Sequence, residues 1–347
     1  VDKQLILSVA GSGKTSYIVD RLDSSSKALI LTYTDNNYIN IRRKILEKLE
    51  VIPPGVKVFK YFNFLYTFCY RPFLRIKLRA KGFNFNSPPS FTFKLPRKNL
   101  KFYLDTNSQL YHNRVSKLLE EYNLLETINE RISKYFQNVY IDEVQDFGGH
   151  DFNLLVSILK ANTNITLVGD FFQHTYDTSK DGRVNSSLYD DEKKYIKIFQ
   201  KNGASIDSST LNKSYRCCGR ICKFISENLS IKMQSNKTEE SQIYFIQDDD
   251  QIWNLYNNNE VVKLFYQKHK SYLCFSENWG SSKGLDKFQD VCVVLNEKTF
   301  EAYKNSKLSE LAPTTRNKLY VACTRASRNL FFIREKDLIR VRKKYTK

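Results

Sequence analysis

Short, largely apolar runs alternate along the chain with segments of helical spacing. Leu5 to Val9, Ala28 to Tyr33, Val139 to Ile141, Ile165 to Val168, Val291 to Leu295 and Leu330 to Ile333 are such runs. Each is too short for a buried helix and rich in Val, Ile and Leu, which predicts strands buried on both faces. After the first run a glycine turn opens a helix at about Lys14; after the second, Ile39, Ile45 and Leu49 mark another, and Thr315 to Ala326 reads as a third. Strands alternating with helices predict an α/β fold of parallel sheets with helices on both faces. Asp177 to Asp191, Ser235 to Glu240 and Asn257 to Glu260 read as loops or linkers. No internal repeat or low-complexity block interrupts the pattern.

Length adds the domain count, since 347 residues suit two domains. Lys and Arg number 55 against 37 Asp and Glu, a formal charge of +18, so a polyanion is the expected partner. No apolar run approaches the roughly 18 residues that span a bilayer, and no leader-like start precedes the first strand, so no membrane partner is expected. Seven cysteines form no even framework and suit a reducing compartment, with a cytoplasmic location. Cys217, Cys218 and Cys222 lie close together but lack a fourth ligand at metal spacing, and read as small residues about a helix.

The charge is unevenly spread. From Val51 to Leu104 there is no Asp or Glu, while eleven Lys and Arg, among them Arg75, Lys77 and Arg79, are interleaved with fourteen Phe and Tyr. Cations neutralise phosphates and aromatic faces stack on unpaired bases, so this stretch is a candidate single-strand surface. The same rings could equally form core, or a hydrophobic docking face for a partner subunit. The basic cluster Arg340 to Lys347 reads as a solvated tail.

Three segments carry candidate chemistry. Ala10-Gly11-Ser12-Gly13-Lys14-Thr15 follows a strand and opens a helix, the context of a phosphate-binding loop. Backbone N–H groups there close on phosphates, Lys14 reaches the β/γ-phosphates of ATP and the Thr15 hydroxyl holds Mg²⁺. Ser8 replaces the first glycine of the general pattern. The strand Val139 to Ile141 delivers Asp142 and Glu143, one carboxylate placed for the metal and its neighbour for orienting or deprotonating water. A further strand ends in Gly169-Asp170, with Gln173 placed to sense the γ-phosphate.

In order along the chain these segments resemble the UvrD/Rep-type superfamily 1 DNA helicases. Leu31-Thr32-Tyr33-Thr34-Asp35-Asn36 is similar to a strand-contacting motif of that family, and Tyr61-Phe62-Asn63-Phe64 stands where the family has another. Asp142-Glu143-Val144-Gln145-Asp146, Gly169-Asp170-Phe171-Phe172-Gln173-His174-Thr175-Tyr176, Ser214-Tyr215-Arg216, Ser282-Lys283-Gly284-Leu285-Asp286 and Leu319 to Ala326 resemble its remaining motifs. The resemblance implies that Tyr215 stacks on adenine and that Arg216 and Arg325 approach the γ-phosphate. It also implies that Gly284 and Asp286 border the nucleotide, and that Thr32, Tyr33, Tyr61, Asn63 and Tyr176 contact the strand. The family's adenine-reading glutamine lies upstream of the phosphate loop; Gln4 is too close to replace it, so adenine recognition falls to Tyr215. The gap between Arg216 and Lys283 leaves no room for the family's second accessory domain.

The expected architecture is two RecA-like P-loop domains with parallel sheets, residues 1–203 and 204–347, the first carrying a reduced basic-aromatic insertion over about 65–135. ATP is expected between the sheets with Mg²⁺. The expected activity is ATP-dependent translocation on single-stranded DNA, 3′ to 5′ by resemblance. Two alternatives stand beside it. One is a nucleic-acid-stimulated ATPase serving as a sensor or switch in a multi-subunit complex; the other is an RNA-directed superfamily 1 helicase, against which the acidic and Lys-Gly-Leu-Asp motifs argue.

Overall fold

The computed structural model describes residues 1–175 and 184–346. Six strands form the first sheet: β1 (Lys3–Ser8), β2 (Ala28–Thr32), β3 (Val56–Lys60), β4 (Asn138–Asp142), β5 (Asn164–Gly169) and β6 (Ser205–Leu211). Their order is β3-β2-β4-β5-β1-β6, and β2 runs parallel to β3 and β4, as β4 does to β5. The second sheet holds β7 (Ile243–Ile246), β8 (Val262–Phe265), β9 (Ser276–Asn278), β10 (Val291–Leu295) and β11 (Leu330–Arg334). Its order is β7-β11-β10-β8-β9, all parallel. The chain is thus α/β with two parallel sheets, the layout of two RecA-like domains.

Parallel strands covered on both sides must be apolar on both faces. In β10, Val291, Val293 and Leu295 pack into one core with Trp279, Leu319 and Phe332. The intervening Cys292 and Val294 pack into another with Ile252, Phe265 and Leu338. Each buried Val or Leu contributes about 1.5–3 kcal/mol, so the unbroken apolar run is explained by two cores sharing one strand. None of the seven cysteines is paired in a disulfide, and Cys217, Cys218 and Cys222 are buried around the start of the helix Gly219–Asn228. Among the described residues no helix is long and apolar enough to cross a membrane.

Compactness divides the chain into two units. One holds Val1–Ile6, Thr15–Gly169 and a segment ending at Asp207; the other holds Leu7–Lys14, a segment opening at Asp170, and the chain from Ser208 onward. The tips of β1 and β6 and the loop after β1 therefore group with the second sheet, and Val9 and Ala10 belong to its core.

Between β3 and β4 the first unit carries the basic-aromatic insertion. It opens with a π-helix, Phe64–Tyr70, that continues as the helix Arg71–Leu78. Two residue pairs, Phe83–Asn84 and Leu110–Tyr111, make a short parallel ladder. The fully buried Arg114 fastens the segment: its guanidinium donates to Thr92 Oγ1 (2.9 Å) and the Phe102 carbonyl (2.6 Å) and lies 3.8 Å from the Phe102 ring centre. A buried cation is stable only when so paired.

Candidate functional site

Gly11 and Gly13 of the phosphate loop have φ of 71° and 85°, a left-handed backbone that glycine adopts without a Cβ penalty. At Gly11 space also demands it, because a Cβ would lie 2.6 Å from Arg216 Cβ. Four bonds within the second unit fix this loop. The Val9 N–H donates to the Leu211 carbonyl (3.0 Å) and the Tyr215 N–H to the Gly11 carbonyl (2.9 Å). Ser214 Oγ donates to the Ala10 carbonyl (2.7 Å), and the Ala10 N–H donates to Tyr320 Oη (2.9 Å). Ser8 Oγ and Ser12 Oγ are buried with no hydrogen-bond partner among the described residues. Orphaned hydroxyls in a glycine-shaped cradle fit a polyphosphate.

The two arginines meet on one carboxylate. Asp286 Oδ1 accepts from Arg216 Nη2 (2.6 Å) and Arg325 Nη1 (2.9 Å), while Arg216 Nη1 also donates to the Thr324 carbonyl (3.3 Å). Arg325 is buried and Asp286 half-exposed. Burial, reinforced by the neighbouring Arg216 charge, pushes the Arg325 guanidinium down to about 10, with Asp286 opposing. An arginine penalised in this way gains most from an arriving anion. Gly284 turns the chain before Asp286 with φ of 79°. Tyr215 is exposed beside Gly13, its ring open for stacking.

In the first unit, β4 ends in Asp142 and the chain turns sharply at Glu143, whose φ of 56° is left-handed and therefore strained for a side-chain-bearing residue. Both carboxylates are buried. The Glu143 N–H donates to Asp142 Oδ1 (3.0 Å), and the Gln145 amide donates in a short bond to Glu143 Oε2. Gly169 makes room for this arrangement: a Cβ there would lie 2.5 Å from both Gln145 Oε1 and Val144 Cγ1. Thr15 is the first residue of this unit after the loop. Among the described residues no cluster of three or more His, Cys, Asp or Glu could hold a metal. A carboxylate plus a hydroxyl, with phosphate oxygens and water completing the shell, is a donor set that suits Mg²⁺.

Asp170 and Gln173 fall in the second unit. Gln173 Nε2 donates to Asp170 Oδ2 (2.8 Å), which also accepts from Tyr320 Oη (2.8 Å). Tyr320 and Ser214 stand inside the motifs that resemble the helicase family, yet neither residue type announces a role without the geometry.

The strand candidates separate by exposure. Arg75, Lys77 and Arg79 are exposed at the end of the helix Arg71–Leu78. Lys77 Nζ lies 4.6 Å from the Tyr122 ring centre. Asn63 is exposed, whereas Thr32 and Tyr61 are buried. Tyr61 shares a hydrogen bond with Ser116 Oγ (2.9 Å), stacks on Tyr33 and meets Phe147 edge-on, so its ring offers no face to a base. The neighbouring motif is partly structural too: Thr34 caps the helix Asp35–Leu49, and Asp35 pairs with Lys60 at 2.6 Å. Tyr176 lies outside the described residues.

The glycine-shaped loop and paired arginines of the second unit, with the strand-end carboxylates of the first, mark the class as a P-loop protein built on two parallel sheets. Residues 96–334 match the viral superfamily 1 RNA helicase core domain, and the chain belongs to that family. Superfamily 1 is common to this family and to the UvrD/Rep group, but the match does not extend to the UvrD/Rep group itself. Similar solved structures include the PRRSV helicase, with a TM-score of 0.47, 16% identity, and 96% of this chain covering 52% of that one. Another is arterivirus nonstructural protein 10, a helicase, in complex with DNA, with a TM-score of 0.48, 15% identity, and 98% of this chain covering 62% of that one. The chain thus spans about half to three-fifths of their length. No curated protein matches it.

Proposed function

We propose that the chain is an ATP-driven translocase on single-stranded DNA, moving 3′ to 5′. The observation that carries the motor reading is the meeting of Arg216 and Arg325 on Asp286 in the unit that holds the phosphate loop. Two guanidiniums balanced by one half-exposed carboxylate leave a positive charge for a γ-phosphate to engage. Lys14 and the loop N–H groups hold the β/γ-phosphates, Tyr215 takes the adenine, and Gly284 and Asp286 border the nucleotide. Glu143 draws a proton from the attacking water, Gln173 senses the γ-phosphate, and the arginines neutralise the transferring phosphoryl group. Thr15 and Asp142 would hold Mg²⁺, which neutralises phosphate charge when bound. DNA and the direction of travel rest on the UvrD/Rep-like motifs.

A second reading takes RNA as the track, favoured by membership of the viral superfamily 1 RNA helicase family. A switch ATPase with little unwinding is favoured by the short segment between Arg216 and Lys283. Matched DNA and RNA oligonucleotides as ATPase activators, followed by 3′- and 5′-tailed duplexes, separate the readings. Stimulation by DNA with unwinding from a 3′ tail is expected; stimulation by RNA alone would transfer the proposal to the second reading. Stimulation without displacement of either duplex would favour the switch.

The strand path is tested by charge. Binding should weaken with salt at a log–log slope of about −0.7 per phosphate neutralised on single strands. Reversing Arg75, Lys77 and Arg79 together should flatten that slope equally for different sequences, since phosphate contacts carry no sequence information. The same treatment of Arg342, Lys343 and Lys344 should matter less. An unchanged slope in the folded first variant would make the insertion a docking face instead.

A further inference from the structure

The hydroxyl of Tyr320 connects two parts of the nucleotide site that the sequence keeps apart. It accepts from the Ala10 N–H (2.9 Å) on the phosphate loop and donates to Asp170 Oδ2 (2.8 Å). The same oxygen of Asp170 receives the Gln173 amide (2.8 Å). Tyr320 is fully buried, on the helix Pro313–Cys323 that leads within two residues into Thr324 and Arg325. All of these residues belong to the second unit. The contact is therefore a relay running from the loop N–H through one phenol to the carboxylate that orients Gln173. We infer that Tyr320 is a positioning residue, coupling the phosphate loop and the Arg325 helix to the Gln173 amide during hydrolysis. The inference rests on the ATPase reading of this site.

Two features support the assignment. Burial and the adjacent Asp170 raise the Tyr320 phenol well above its ordinary range, which favours the protonated form that donates to Asp170. The loop also keeps its other anchors, from Val9, Ser214 and Tyr215. Loss of the hydroxyl should therefore disturb Gln173 more than the grip on ATP.

The test is Tyr320→Phe, which keeps the ring and its packing and removes one oxygen. With saturating single strand, kcat should fall about tenfold or more, as expected when a reacting-site group loses its orientation, while KM for ATP stays within about twofold. In a Gln173→Ala background the same substitution should add no further loss, because residues acting through one contact are not additive. A wild-type chain without strand-stimulated turnover would instead sink the ATPase reading itself. Given that turnover, full additivity with Gln173→Ala would overturn the inference. So would a loss in Tyr320→Phe matched by an equal drop in folded fraction on thermal melting, which would make Tyr320 a packing residue.

Discussion

Glu143→Gln should bind ATP almost as the parent does and turn it over about two orders of magnitude or more slowly, the usual cost of losing a general base. The substitution is nearly isosteric, and the amide oxygen can still accept from Gln145, so the strained turn after β4 is preserved. What disappears is a carboxylate able to take a proton from water. Lys14→Ala makes the contrast: it deletes a direct phosphate contact and should weaken binding and turnover together. Fluorescent-nucleotide titration measures binding, and steady-state phosphate release measures turnover. Near-parental release by Glu143→Gln would remove Glu143 from the chemistry and leave its left-handed backbone without a functional reason.

Arg325→Ala should abolish strand-stimulated turnover, by about 10³-fold, while single strands still bind measurably. Arginines that meet the transferring phosphoryl group are worth that much, because their charge acts where negative charge spreads in the transition state. Its burial makes the effect specific, since a desolvated guanidinium interacts more strongly with an arriving phosphate than an exposed one does. Arg325→Lys should rescue little: the ammonium retains charge but not the planar fork that also reaches the Val321 carbonyl. Stimulated turnover at parental maximum, with weakened strand binding, would reassign Arg325 to the strand.

Where a motif is made of strand, turn and helix in immediate succession, the sequence already held the answer. Val291 to Leu295 is a strand with the expected bounds, and the phosphate loop follows β1 as its spacing requires. Less was legible where elements are polar or short. The strand β6 reads Ser-Ile-Asp-Ser-Ser-Thr-Leu and carries no apolar run, because it ends the sheet order and is largely exposed. In the helix Asp35–Leu49 the buried residues are Ile41 and Ile45 while Ile39 is exposed, since Ile39 lies about half a turn away from Ile41 around the helix axis. The basic-aromatic segment hid its own construction: Arg114 lies beyond the acid-free stretch, and nothing in its neighbours marks it as the buried cation among Phe93, Phe102 and Tyr111. At the site, side-chain types suggested roles, but the sharing of Asp286 by two arginines joins residues 70 and 39 positions away. Such a convergence is a property of the folded chain alone.

Gly169 constrains how this protein can change over generations. The missing side chain there is occupied by Val144 and Gln145, the residues that follow the strained glutamate. A single added carbon would force Val144 and Gln145 to shift and so press on the turn that aims Glu143. Positions 144, 145 and 169 thus share one space, and a larger residue at 169 is expected to be accepted only together with an adjustment at 144 or 145.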